Sequence, residues 1–453
     1  MTRRVKVEEY GVEPIPRELQ TAGWRDLFAI NFTFFLNPVM YLLGAFAVVD
    51  GGLPLWWAVG AMVLGQVLAY AMLLVIAQPG VDYGLTGQVA MRAHLGYWGS
   101  RLLSSPYRVI AATYWFAAQA LTGALGIQAL YGAMTGERLP LVPLAVGLGV
   151  VHAALAILGF DVMRWLLKIV LPVSLAFTAI IVVQFLATDD PDYAVARVFE
   201  SPEQHLTWAG FATYVTVMCG ASLTLVGNIA DFCRYTPTRR DMRIGLMGSA
   251  LAAAVVTTFV GGYAAAATGE VNPFIAVADL VSNDSLLVVL MAAIVVQGLA
   301  ANVTNVYTAG LSLVNSVPRL GRFVATLAVA VLAVTLSGFP DLIEQAQRWI
   351  THLGNIGAPL TGVVLADYLV VQRQRFDVAA LFDPRGRYRY VKGVNVAAVL
   401  AIAGAVAVYY LASHSWLKVV VGVAAGAVFY LALVALQASS RRFEATTDSR
   451  PAA

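Results

Sequence analysis

Residues 27–49 read LFAINFTFFLNPVMYLLGAFAVV, an apolar run with Asn37 and Pro38 at its centre. About 20 such residues are enough to cross a bilayer core of about 30 Å. A proline in mid-membrane frees a backbone carbonyl, and such a group persists only where protein or a water-filled cavity satisfies it. The stretch therefore reads as a membrane-crossing helix interrupted where something polar can meet it.

Runs of the same kind recur at 54–77, 106–130, 141–160, 166–186, 209–229, 244–267, 286–311, 323–336, 343–370, 394–411 and 419–436. The chain of 453 residues is 59% hydrophobic and 12% charged, about half the charge of an average soluble domain. These features predict an all-α polytopic membrane protein with twelve transmembrane helices. The expected organisation is one membrane domain, 27–436, between a cytoplasmic segment, 1–26, and a cytoplasmic tail, 437–453.

Charge placement supports this count, because cytoplasmic loops collect Lys and Arg. With both termini inside, all the basic residues fall in cytoplasmic segments or at their edges except Arg138, Arg197, Arg348 and Lys418. The net charge of +3 thus reflects topology rather than nucleic-acid binding. The segment 1–26 carries Arg3, Arg4, Lys6, Glu8, Glu9 and Asp26 and lacks the apolar core of a cleavable signal. Insertion into the cell membrane by the first span is expected. Cys219 and Cys233 would lie about 21 Å apart along one helix, too far for a disulfide.

A second interruption signal is the glycine-flanked CGASLTLVGN at 219–228. Breaks in the first and sixth spans would suit an inverted five-plus-five repeat. Ordinary packing explains them equally well, since glycine and proline are common in membrane helices.

Polar side chains within the runs are mostly amides and hydroxyls: Asn37, Gln119, His152, Asn228, Gln297, Asn302, Thr304 and Asn305. A buried amide offers both donors and acceptors, which suits the edge of a neutral heterocycle, whereas a charged substrate would need a countercharge. Trp115, one turn before Gln119, could stack on a ring whose edge the amide reads. Any one of these amides could equally tie two helices together, and Phe34 and Phe35 could simply pack. The histidines His94, His152, His205, His352 and His414 show no metal-ligand spacing. No metal site or cofactor is expected, and no phosphate-binding or nucleophile-elbow motif supports an enzyme or an ATP-driven pump.

Several strings resemble the nucleobase:cation symporter family, and within it the purine/cytosine permeases. In chain order they are VEPIPRE at 12–18, TFFLNPV at 33–39, YGLTGQVAMRAHLGYWGS at 83–100, YWFAAQ at 114–119, NIADFCRY at 228–235, TNVYTAGLSLVN at 304–315, GAPLTGVVLADYLVVQR at 357–373 and VKGVNVAA at 391–398. The resemblance implies a LeuT-type fold with substrate between the first, third, sixth and eighth spans. It assigns stacking to Trp115 and hydrogen bonding to Gln119 and Asn305, with Gln297 and Asn302 as neighbours and Phe35 at the first break.

Two departures stand out. Ser222 replaces an aromatic of the sixth span, and Leu299, Ala300 and Ala301 stand where sodium-using relatives carry hydroxyls. The resulting expectation is a monomeric secondary transporter that imports a nucleobase such as cytosine or a purine. Other neutral heterocycles (hydantoin, allantoin, a vitamin-like pyrimidine), a passive channel and a membrane enzyme are the alternatives. The coupling ion is left open between proton and sodium, with sodium disfavoured.

Overall fold

The computed structural model describes residues 11–157, 160–199, 205–413 and 416–448, with side chains described except at 160–168 and 440–448. The start of the expected N-terminal segment, the end of the tail, part of the loop before the sixth span and His414 lie outside the described residues. Among the described residues all regular secondary structure is helical, apart from one isolated bridge, Val391 with Val394.

Among the described residues, 8 helices are long and apolar enough to cross a membrane, and the bent pair Trp24–Phe35 and Pro38–Val49 raises this to 9. The shorter apolar helices Leu141–Ile157, Trp208–Leu223 and Val396–Leu411 occupy the remaining expected runs. Spans are numbered below by the runs they fill. The second is Leu55–Ile76, the third Ser105–Thr135, the seventh Arg239–Thr268, the eighth Asp284–Ser316 and the tenth Ala346–Ala366. The fifth lies within Phe160–Ala187, and the twelfth within Lys418–Asp448.

Large apolar side chains such as Val151, Val183, Val289, Phe323, Val331 and Leu400 are exposed on the flanks of these helices. In water such a belt would be a liability, whereas in lipid it is the contact surface. Inside, small residues let backbones approach. A Cβ added at Gly261 of the seventh span would lie 1.8 Å from the Tyr41 carbonyl oxygen of the first. One added at Gly362 of the tenth would lie 2.0 Å from the Val423 carbonyl oxygen of the twelfth.

The first, second, sixth and seventh spans pack as one group. The third and eighth share the most extensive pairing in the molecule, and the tenth to twelfth pack together. Short helices join these groups. Helix Gly87–Leu95, between the second and third spans, is fixed by a buried network. His94 Nδ1 lies 2.7 Å from Asp367 Oδ2, the Tyr430 hydroxyl donates to Asp367 Oδ1 at 2.6 Å, and Asn395 Nδ2 donates to the His94 carbonyl at 2.7 Å. Arg92 of the same helix donates from Nη2 to Asn315 Oδ1 at 2.5 Å.

Candidate functional site

The first interruption is built by its own sequence. Asn37 has extended backbone and caps the second half-helix, its Oδ1 accepting from the Met40 N–H at 3.1 Å while Nδ2 donates to the Phe34 carbonyl at 2.6 Å. Asparagine before proline is a helix-start signature, because the side chain satisfies an orphan donor and proline needs none. The two halves bend by 60°.

The sixth span stops at Leu223 and resumes at Ile229, with tight turns between. There the Thr224 hydroxyl donates to the Ala221 carbonyl at 2.6 Å, and Gln88 Nε2 meets the freed Gly227 carbonyl at 3.0 Å. Cys219 and Cys233 fall on opposite sides of this break, both buried and free.

Both breaks open on one narrow cavity. Phe34, Phe35, Asn37 and Met40 line it from the first span, and Trp115 and Gln119 from the third. Ala221, Thr224 and Leu225 come from the sixth, with Ala301 and Asn305 from the eighth. Trp115 donates its indole N–H to Thr224 Oγ1 at 3.1 Å, which ties the third span to the sixth-span break and leaves the ring face as what the indole offers. Gln119 is 3% exposed, and its Oε1 is buried without a hydrogen-bond partner.

Asn305 meets a buried cation that the sequence reading passed over. Arg108 of the third span is fully buried and donates from Nη2 to Asn305 Oδ1 at 3.1 Å and to Thr308 Oγ1 at 2.8 Å. Its position at the edge of an apolar run made it look like a topology signal. The overlooked sign was its spacing, since seven residues before Trp115 is two helical turns, on the same face.

The structure therefore brings Trp115, Gln119, Asn305 and Phe35 to one cavity and sets three other candidates elsewhere. Ser222 donates to Gln66 Oε1 of the second span at 2.7 Å. Gln297 donates to the Tyr41 hydroxyl at 2.8 Å, itself 2.9 Å from Thr178 Oγ1 of the fifth span. Asn302 Nδ2 lies 2.9 Å from His152 Nδ1. His152 Nε2 is 3.0 Å from the Val295 carbonyl, which can only accept, so Nδ1 is left to accept from Asn302.

Leu299 and Ala300 lie in an apolar cluster with Phe116, Val170 and Val303, while Ala301 faces the cavity. Thr304 spends its hydroxyl on the Ala300 carbonyl at 2.7 Å. Among the described residues no three His, Cys, Asp or Glu side chains gather as metal ligands.

Comparison with known proteins agrees with this architecture. Residues 14–433 match the family of permeases for cytosine/purines, uracil, thiamine and allantoin. The chain is 24% identical over 409 residues to a hydantoin permease of Microbacterium maritypicum, covering 86% of this chain and 82% of that one. It is 25% identical over 422 residues to an allantoin permease of Bacillus subtilis, covering 86% and 84%. The solved structure of a nucleobase-cation-symport-1 family transporter, closed with bromovinylhydantoin bound, superposes with a TM-score of 0.82 at 21% identity over 96% of this chain and 97% of that one. The fold is thus the LeuT-type arrangement, and the chain belongs to the cytosine/purine, uracil, thiamine and allantoin permease family.

Proposed function

We propose that this permease moves a planar, neutral nitrogen heterocycle, foremost a nucleobase, by alternating access around the cavity between the two helix breaks. The observation that carries this reading is the pairing of an indole face at Trp115 with a buried, unpartnered amide oxygen at Gln119 on one wall. Base-aromatic stacking contributes about 1–3 kcal/mol and suits any ring, while the amide rewards a ring N–H at its edge. Phe35 and Asn305 complete the contacts.

Hydantoin- or allantoin-like imide rings are the second reading, favoured by the likeness to permeases bearing those names. The chain works in the cell membrane as a monomer with both termini cytoplasmic, a topology supported by the uneven division of its basic residues. A thermal-shift and binding screen of the purified protein over nucleobases, hydantoins and allantoin tests the proposal. Saturable stabilisation by at least one such ring is expected, and stabilisation by none would overturn it.

A further inference from the structure

The loop between the tenth and eleventh spans is docked in place by its own backbone. The Gly393 carbonyl accepts from the Trp98 N–H at 2.8 Å and from the Gly99 N–H at 3.2 Å, and the Asn395 N–H donates to the Leu95 carbonyl at 2.8 Å. The Tyr390 hydroxyl donates to the Ala93 carbonyl at 2.6 Å. Glycine is required at 393 for this approach, since a Cβ there would lie 2.2 Å from Trp98 Cδ1. Tyr390 and Lys392 have φ of 46° and 53°, a left-handed backbone that non-glycine residues keep only where their surroundings impose it.

The docking leaves an open groove lined by Trp98, Pro384, Arg385, Arg389, Lys392 and Gly393. Three cations line it and no carboxylate does. Among the described residues none of the three forms an ion pair, and Asp383 beside them accepts from the Arg385 backbone N–H at 2.8 Å. Cations gathered without a countercharge repel one another, and an anion between them relieves that repulsion.

The wall and the surroundings of the groove are apolar. Trp98 is 44% exposed, with Arg101 Cζ 5.1 Å from its ring centroid. Leu102, one turn further on, is 64% exposed, and Leu103, Val391, Val396 and Leu400 are exposed as well. Exposed tryptophan suits the boundary between water and lipid, and exposed aliphatic side chains beside it suit acyl chains. A cytoplasmic loop needs basic residues to set topology, but for that purpose it needs neither a groove nor an aromatic wall.

We infer that this groove binds the phosphodiester headgroup of an anionic phospholipid, with Arg385, Arg389 and Lys392 around the phosphate and Leu102, Val396 and Leu400 along the acyl chains. Arginine forks match phosphate oxygens, and a basic pocket on the cytoplasmic side faces the leaflet rich in anionic lipid. The groove shares no lining residue with the central cavity, so the inference is independent of which ring is carried.

The experiment measures binding of phosphatidylglycerol, phosphatidylcholine and inorganic phosphate to the purified full-length protein in detergent, by native mass spectrometry and thermal shift. Each basic residue near an anionic lipid contributes about 5-fold in affinity. The wild type should prefer phosphatidylglycerol, and the triple variant Arg385→Gln, Arg389→Gln, Lys392→Gln should lose that preference, up to about 100-fold. A second triple variant with the same change of charge, Arg240→Gln, Arg319→Gln, Arg375→Gln, alters exposed residues outside the groove and should keep it. Trp98→Ala should weaken binding of the lipid and leave that of inorganic phosphate unchanged. If the groove triple fails to fold, Arg389→Gln alone should cost about 5-fold. Equal loss in the two triples would reduce the effect to general surface charge. That result, equal wild-type affinity for the two lipids, or displacement of phosphatidylglycerol by equimolar inorganic phosphate would overturn the inference.

Discussion

Replacing Gln119 with leucine separates a recognition amide from one that ties helices together, because the two roles predict opposite signs in two measurements. Gln119 Oε1 is buried without a partner, and an unpaired buried acceptor costs about 1–3 kcal/mol. In the ligand-free protein no protein group offsets that cost. A ring N–H relieves it on binding.

Leucine has a similar volume and no polar atom, so Gln119→Leu should leave the ligand-free protein as stable as the wild type or up to about 1 kcal/mol more stable. The same change should weaken binding by about 5- to 150-fold, since 1.4 kcal/mol is tenfold in affinity. Calorimetric titration with a ring identified in the screen, together with thermal unfolding of the ligand-free protein in the same detergent, reads both quantities. If Gln119→Leu unfolds more readily than the wild type and binds the ring unchanged, the amide is structural and the cavity has been read wrongly.

Uptake into proteoliposomes at fixed pH should not depend on a sodium gradient, because Leu299 and Ala300 sit in an apolar cluster and Thr304 is engaged by its own helix; a hard cation needs a shell of oxygen ligands. Transport driven by a proton gradient, or uncoupled, is the expected result, and strong saturable sodium dependence would contradict it. Cysteines placed at Arg240 or Arg387 should resist an impermeant reagent applied from outside intact cells, and their labelling would reverse the topology. Gly261→Leu should lower thermal stability markedly, since even a Cβ there would lie 1.8 Å from the Tyr41 carbonyl oxygen; overpacking of this kind typically costs about 1–3 kcal/mol. An unchanged melting temperature would show that the first and seventh spans can separate without penalty.

Membrane class, the approximate spans and the two interruptions were legible in the sequence because each is written in local chemistry. Apolar runs of about 20 residues have few other uses. Asn37 followed by Pro38 restarts a helix wherever it occurs, and the same neighbours that marked the break in the sequence hold it in the fold. Trp115 and Gln119 share a face by helical spacing alone.

The rotation of each helix about its axis was not legible. A soluble helix advertises its inner face by an apolar stripe, whereas a helix that is apolar all round has no such stripe. Gln297 and Asn302 were therefore no less plausible than Asn305 as cavity residues. Only packing turned the first toward Tyr41, the second toward His152 and the third toward the cavity.

Arg108 looked like a topology marker until the third span was laid against the eighth, bringing it onto a partner 197 residues away in the chain. His94 and Asp367 likewise meet across 273 residues. Composition and period dictate what can cross the membrane and where a helix must break. Which polar groups then face one another depends on contacts between distant spans, and those exist only once the whole bundle has packed.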